Sequence, residues 1–337
     1  MKILHVANFA LNRHGALFYA MDRKISNGLI RNGHQVYDFS YRDMARFSGW
    51  FNSTKTGRRK MAAAFLETVR QFQPQLLFLG HSELLTADDL LAARSLCPEV
   101  KVAMYWVDPL DRIAHLRERM GILDVLFATT GIVPLARALG DRKTTTLSFF
   151  PNITDTSIET GQAFSVEHFL HDLVFIGRVA PERQVLAQML ATLSKTLDVG
   201  IYGNSKTTQV FGAKYIDLLS SSRMGINYSR YNDIAYYTSD RMAQLTGNGV
   251  LTFTPPVPGM TDLFTSDEVV YFDDWADLSE KVHVFHRNIE ACRCHARRGW
   301  EKAHRAFNEN RVTRFMMETI FDTGYSEPYE WQNQVLR

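Results

Sequence analysis

The 337-residue sequence predicts an α/β protein made of two Rossmann-like, doubly wound domains. Three observations carry that expectation. Short apolar runs of strand length alternate with stretches of helical periodicity, the pattern of a parallel sheet with helices on both faces. The alternation stops once, from Phe150-Pro151-Asn152 to about Val166, in a Thr-, Ser- and Gly-rich stretch without a clear period. It then restarts and runs to Phe307, and the chain is long enough for two sizeable cores.

The first strand is Lys2–Ala7. A helix follows from about Ala16 to Arg31, closed by Asn32-Gly33, residues that end helices in a left-handed turn. Gln35–Phe39 is the next strand. Arg58–Gln71 is helical, with Met61, Phe65, Leu66 and Val69 on one side. Leu76–Leu79 is a short buried strand, and Thr86–Ser95 a helix whose Thr-x-x-Asp start suits a capping box. Val100–Val107 and Val125–Thr129 complete the strands of the first half. The second half places strands at Asp172–Ile176, Asp198–Tyr202, Met224–Tyr228, Val250–Phe253 and Val269–Phe272, and helices at Leu186–Leu197, Leu278–Phe285 and Asn288–Phe307. These patterns divide the chain into domains 1–155 and 168–308, with 309–337 as a C-terminal helix and tail. Tyr325, Tyr329 and Trp331 in that tail predict that it packs back on the first domain.

Composition excludes several classes. The apolar fraction of 45% is ordinary for a globular protein, and 38 Lys plus Arg against 36 Asp plus Glu give no basic excess for a dedicated nucleic-acid binder. Cys97, Cys292 and Cys294 are too few for a disulfide framework, which fits a reducing cytosol. No run of about 18 apolar residues marks a spanning helix, and the N-terminus lacks a signal peptide's long apolar core. Cys292-x-Cys294-His295 has no second Cys/His pair and points to different sides of a helix, so no metal site is expected. Neither G-x-x-x-x-G-K-[ST] nor G-x-G-x-x-G occurs.

The most informative stretch runs from Asp217 to Phe272 and reads as helix, strand, loop, helix, strand, Pro-Gly turn, short helix, strand. Ser239, Asp240 and Arg241 stand where its middle helix begins. A helix start beside an arginine suits a phosphate, but Ser239 or Asp240 acting only as a cap, and Arg241 only as an ion-pair partner, are the plain alternatives.

This order resembles the C-terminal domain of "glycosyl transferases group 1" enzymes, the kind found in spore-maturation-like and surface-polysaccharide proteins. That family typically shows Arg-x-Phe-Glu-x-x-Ala-x-Gly; here the frame is R-M-A-Q-L-T-G-N-G, from Arg241 to Gly249. Arg241 and Gly249 match, Gln244 stands in the Glu position and Ala243 in the Phe position. Pro258-Gly259 supply the turn that should follow, and D-E-V-V-Y-F-D-D-W-A-D-L the acidic strand-to-helix piece. The first half fits by pattern, through Ile3–Ala7, Gly15 and G-H-Q-V at Gly33–Val36.

The resemblance implies a GT-B glycosyltransferase, with its two domains facing a central cleft, a nucleotide-sugar donor and a saccharide, lipid-linked glycan or protein acceptor. Transfer would need charge on the leaving diphosphate to be met, which backbone N–H groups and arginines do without a metal or cofactor. The donor-side candidates are Gly177 and Arg178 at a strand end, Arg183 five residues on, Gly203 at another strand end, and Ser239, Asp240, Arg241 and Gln244. Gln244 would reach the ribose hydroxyls as a neutral group. On the acceptor side His14 and Asp108 are candidate catalysts, with His81 and Glu83 beside them, all at strand ends of the first domain. Asp108 as a turn residue before Pro109, and His14 as a solvated side chain, are the plain readings. Gly57–Lys60 (G-R-R-K) and Arg13, Arg23, Arg31, Arg42 and Arg46 fit either a solvated face or contact with the inner face of an anionic membrane. A non-catalytic sugar-nucleotide or glycan-binding subunit and a sugar-nucleotide epimerase remain open beside the transferase.

Overall fold

The computed structural model describes residues 1–178, 184–203 and 208–337. They form two compact units, Met1–Pro151 with Glu309–Arg337, and Asn152–Asn308.

The first unit is built on parallel strands β1 (Lys2–Ala7), β2 (Gln35–Ser40), β3 (Leu76–Leu79), β4 (Lys101–Trp106), β5 (Val125–Ala128) and β6 (Thr146–Phe149), in the order β2-β1-β3-β4-β5-β6. Its inner strands are apolar on both faces, as in the Leu-Leu-Phe-Leu of β3, because helices cover both sides of a parallel sheet. The helices are α1 (Met21–Arg31), α2 (Tyr41–Ser48), α3 (Thr54–Phe72), α4 (Ala87–Leu96) and α5 (Ile132–Leu139). The capping box of α4 is formed: the Thr86 hydroxyl accepts from the Asp89 N–H, and the Asp89 carboxylate accepts from the Thr86 N–H at 2.8 Å.

Three sequence readings change here. The helix expected from Ala16 begins at Met21. Residues 11–20 instead make tight turns, with Ala10 and His14 in the left-handed region and the N–H groups of Leu11 and Asn12 held by the Asp43 carboxylate. The elements α2, α5 and β6 have no counterpart in the sequence reading, being short and flanked by irregular segments. The supposed linker is no linker: Ile153, Thr154, Asp155 and Glu159 are fully buried, and its backbone bonds to Phe307 and Asn248 tie it into the second unit. Its apolar residues are buried without a period, so periodicity could not reveal them.

The second unit has five parallel strands, β7 (His171–Ile176), β8 (Val199–Tyr202), β9 (Ser222–Ile226), β10 (Leu251–Thr254) and β11 (Val270–Tyr271), in the order β8-β7-β9-β10-β11. Helices α6 (Gln184–Leu193), α7 (Ala213–Ser220), α8 (Arg241–Gly247), α9 (Trp275–Arg287) and α10 (Ile289–Ala306) connect or cover them. The Pro258-Gly259 turn is present after β10. Gly259 at φ 80°, ψ −6° and the Met260 N–H to Val257 C=O bond define a type II turn with Pro and Gly in their preferred places.

The tail forms α11 (Glu309–Phe321) and β12 (Val335–Leu336), the latter antiparallel to β6. It belongs to the first unit. Helix α11 packs on α1, Asn32 Nδ2 donates to the Asn310 carbonyl at 2.8 Å, and Trp331 is fully buried with Arg311 over its ring.

Candidate active site

In the second unit the chain runs from β7 outward to β8, then returns to the other side of β7 as β9. The strand order therefore reverses between the carboxyl ends of β7 and β9, where open α/β sheets gather ligands. Arg241 occupies this point. Its Nε donates to the Ile176 carbonyl at 2.5 Å, at the end of β7, and its Nη1 lies 3.4 Å from the Tyr228 carbonyl and 3.1 Å from the Ser239 hydroxyl. The guanidinium also lies over the Phe175 ring, 4.8 Å from its centre. Gly177 makes this placement possible, since a Cβ there would fall 2.4 Å from Arg241 Nη2.

The other donor-side residues divide. Ser239 joins the cluster: its hydroxyl donates to Asn227 Oδ1 at 3.1 Å, and its N–H donates to the Ser229 hydroxyl. Buried Asn227 in turn donates to Thr238 and Thr254, which fixes the loop. Asp240 takes the cap position of α8, but its side chain caps no N–H group; its carboxylate accepts from Gln244 Nε2 at 2.7 Å. Gln244, expected to reach ribose hydroxyls, is buried, and its carbonyl accepts from the Tyr215 hydroxyl. Arg178 is exposed directly after the end of β7. Gly203 follows β8 in the left-handed region at φ +86°, close against the Gly177 backbone. Arg183 lies outside the described residues.

The first unit has the same topology, and its strand order reverses between β1 and β3. A pocket of about 610 Å³ opens at the carboxyl ends of its strands, lined among others by Asn8, Asp22, His81, Glu83, Trp106 and Asp108. The His81 ring stacks on Trp106 with centres 4.3 Å apart. Asp108 lies 3.7 Å from His81 Nδ1 and 3.8 Å from Arg112 Nη1, and its side chain is 40% exposed. Glu83 bonds Tyr41 and Arg42. Burial alone would raise the Glu83 carboxyl, but those two partners hold it below its ordinary range. The structure thus brings Asp108, His81 and Glu83 together. His14 sits exposed at the end of a 3-10 turn and does not line this pocket.

Sequence reasoning missed Asp22, Tyr41 and Trp106. Asp22 was hidden because the helix was started five residues early, which turned a first-turn carboxylate into a mid-helix one. Its Oδ2 accepts from the Asn8 N–H at 3.1 Å, and burial raises its carboxyl.

Residues 182–318 match a family model described as glycosyl transferase-like. No curated protein matches the chain. Among solved structures, sucrose-phosphate synthase from Thermosynechococcus elongatus is similar over 96% of this chain and 98% of its own, at 10% identity and a TM-score of 0.63. AviGT4, a glycosyltransferase involved in avilamycin A biosynthesis, is similar over 99% of both chains, at 12% identity and a TM-score of 0.61. Anabaena Alr3699/HepE, solved in complex with UDP-glucose, is similar over 96% of this chain and 100% of its own, at 12% identity and a TM-score of 0.56. At such identities the likeness is one of fold.

Proposed function

We propose that this chain, a glycosyltransferase of the GT-B fold, moves a sugar from a nucleoside diphosphate sugar held by the second unit to a hydroxyl of a saccharide, lipid-linked glycan or protein acceptor. The observation that carries the reading is Arg241, set at the strand-order reversal of the unit that matches the glycosyl transferase-like model. As the bond between sugar and diphosphate breaks, negative charge grows on the leaving oxygen. A guanidinium already fixed by two backbone carbonyls meets that charge without reorganising, and Arg178 adds a second positive group. The transfer is read as metal-independent. Because HepE was solved with UDP-glucose, uridine is the first base to test.

The first-unit pocket suits the acceptor, with the His81–Trp106 stack as an apolar face and Asp108 and Glu83 as acceptors for sugar hydroxyls. A peripheral membrane contact fits the same unit. Trp50 is 75% and Phe51 99% exposed at the tip between α2 and α3, beside exposed Lys55, Arg59 and Lys60. Among the described residues no helix is long and apolar enough to cross a membrane. Trp50→Ser with Phe51→Ser should release the protein from anionic vesicles in a flotation assay; equal flotation of variant and wild type would remove this contact.

The enzymatic test is release of nucleoside diphosphate from UDP-sugars, with and without an acceptor library, by wild type and Arg241→Ala. Acceptor-dependent release that Arg241→Ala loses is the outcome this reading requires. Donor consumption without any acceptor would instead mark an epimerase, and binding without turnover a non-catalytic subunit.

A further inference from the structure

Behind the first-unit pocket, a chain of four hydrogen bonds runs along one face of the sheet, beneath α1. The Tyr105 hydroxyl lies 2.5 Å from Asp22 Oδ1 and 2.9 Å from His5 Nε2. His5 Nδ1 is 2.7 Å from Ser26 Oγ, which is 2.6 Å from Asp38 Oδ1. His5, Ser26 and Tyr105 are completely buried. Only the ends reach open space: Asp22 lines the pocket described above, and Asp38 lines a separate one, paired with Arg23 at 3.0 Å. The room is specific to this arrangement, since a Cβ on Gly80 would fall 2.8 Å from the Tyr105 hydroxyl oxygen.

Counting protons shows what such a chain does. Four gaps need four protons, and Tyr105, a neutral His5 and Ser26 supply three. With both carboxylates ionised, two lone pairs would face each other across one buried gap, which is unfavourable. A fourth proton closes every gap. On Asp22 it makes all donors point toward Asp38; on Asp38 it makes all of them point toward Asp22. His5 does not hold it, because burial, with Arg23 nearby, pushes that imidazole down to about 3. Burial raises the carboxyls of both Asp22 and Asp38, which favours the two ends of the chain as the place for it. Asp22 also faces His81, Glu83 and the Asn8 N–H, and Asp38 faces Arg23.

We propose that this chain is the route by which the acceptor hydroxyl's proton leaves the pocket, a role that rests on the transferase reading above. As the acceptor oxygen bonds to the sugar carbon, the carbon–diphosphate bond breaks and its electron pair leaves with the diphosphate. The acceptor's O–H proton passes to Asp22 Oδ2. Asp22 gives up the proton on its Oδ1 to Tyr105; Tyr105 passes its own to His5 Nε2, His5 passes one from Nδ1 to Ser26, and Ser26 passes one to Asp38. Asp38 releases it to solvent through its own pocket. Asp22 is the catalytic residue, and the other four act through it.

The test uses Asp38→Asn and Tyr105→Phe, which keep shape but cut the route at its end and its start. Each should lower kcat for transfer by about tenfold to a hundredfold, part of what a general base contributes. Nucleotide affinity should hold within about twofold, and the acid limb of the rate profile should flatten. The double variant should be no slower than either single, because a route cut twice is no more cut than once; independent structural contributions would multiply. Transfer by both single variants at the wild-type rate, or a double variant as slow as the product of the two, overturns the route while leaving the transferase reading intact. Loss of transfer in wild type itself would instead count against that reading. The route then has its own readout in nitrogen NMR of His5. In Asp38→Asn the amide oxygen takes the Arg23 side, so the amide N–H2 donates to Ser26 and the His5 proton moves to Nε2; an unchanged tautomer balance refutes the route without any substrate.

Discussion

Gly177→Ala probes the proposed donor site with one methyl group. The new Cβ would lie 2.4 Å from Arg241 Nη2, whereas such atoms rest about 3.5 Å apart, so the guanidinium must retreat by about 1 Å. The backbone can accept alanine, because Gly177 is not among the glycines held at positive φ. Retreat breaks the Arg241 Nε bond to the Ile176 carbonyl and moves the charge off the point between β7 and β9. Overpacking costs about 1–3 kcal/mol of stability, offset by the roughly 0.4–1 kcal/mol gained when a glycine leaves the unfolded chain. A hydrogen bond to a charged group contributes about 1.5–3 kcal/mol, so UDP affinity should fall about tenfold to a hundredfold. Calorimetric titration with UDP reads the affinity, and urea unfolding reads the stability. An unchanged Kd in a folded Gly177→Ala variant would refute the placement of the diphosphate on Arg241.

Gln244→Glu should not improve donor binding. It sets a buried carboxylate against the Asp240 carboxylate now bonded to Gln244 Nε2, costing about 1–3 kcal/mol in urea unfolding, and a variant as stable as wild type with tighter UDP binding would contradict this. Trp331→Ala, in the buried tail, should cost about 3–5 kcal/mol while UDP affinity stays unchanged, and a loss below about 1 kcal/mol would mean the tail does not hold the first unit together. His5 makes stability fall with acid. Its folded value of about 3 lies below the ordinary 6.5, so the unfolded chain binds the proton first, and stability present above about pH 6.5 is lost toward pH 3 at up to about 1.4 kcal/mol per pH unit. Asp22 and Asp38, raised by burial, act in the opposite sense, so the slope should be compared between wild type and His5→Gln, where equal slopes would refute the assignment.

The alternation of apolar runs and helical periods was enough to read two doubly wound units, because buried parallel strands such as Leu76–Leu79 are apolar throughout. Residue order was enough to place Arg241 at the start of α8 and the Pro258-Gly259 turn after β10, because both depend on short-range chemistry. What the sequence concealed depended on distant partners. Gln244 is bonded by Tyr215, 29 residues away, and Arg241 reaches back 65 residues to Ile176. The segment 152–166 has no period because it is buried piecemeal against the second unit rather than along one face. The chain from Asp22 to Asp38 joins four elements, α1, β1, β2 and β4, and no local pattern announces it.

The central claim is that the second unit holds a nucleoside diphosphate sugar through Arg241. The most direct test is a thermal-shift and calorimetric titration of the full chain with a panel of nucleoside diphosphates and their sugars, since a ligand that binds only the folded state must raise the apparent stability. The account predicts a saturable shift with one diphosphate family, uridine first, that Arg241→Ala loses while remaining folded. No shift with any nucleotide from folded protein, or an equal shift in Arg241→Ala, would contradict it.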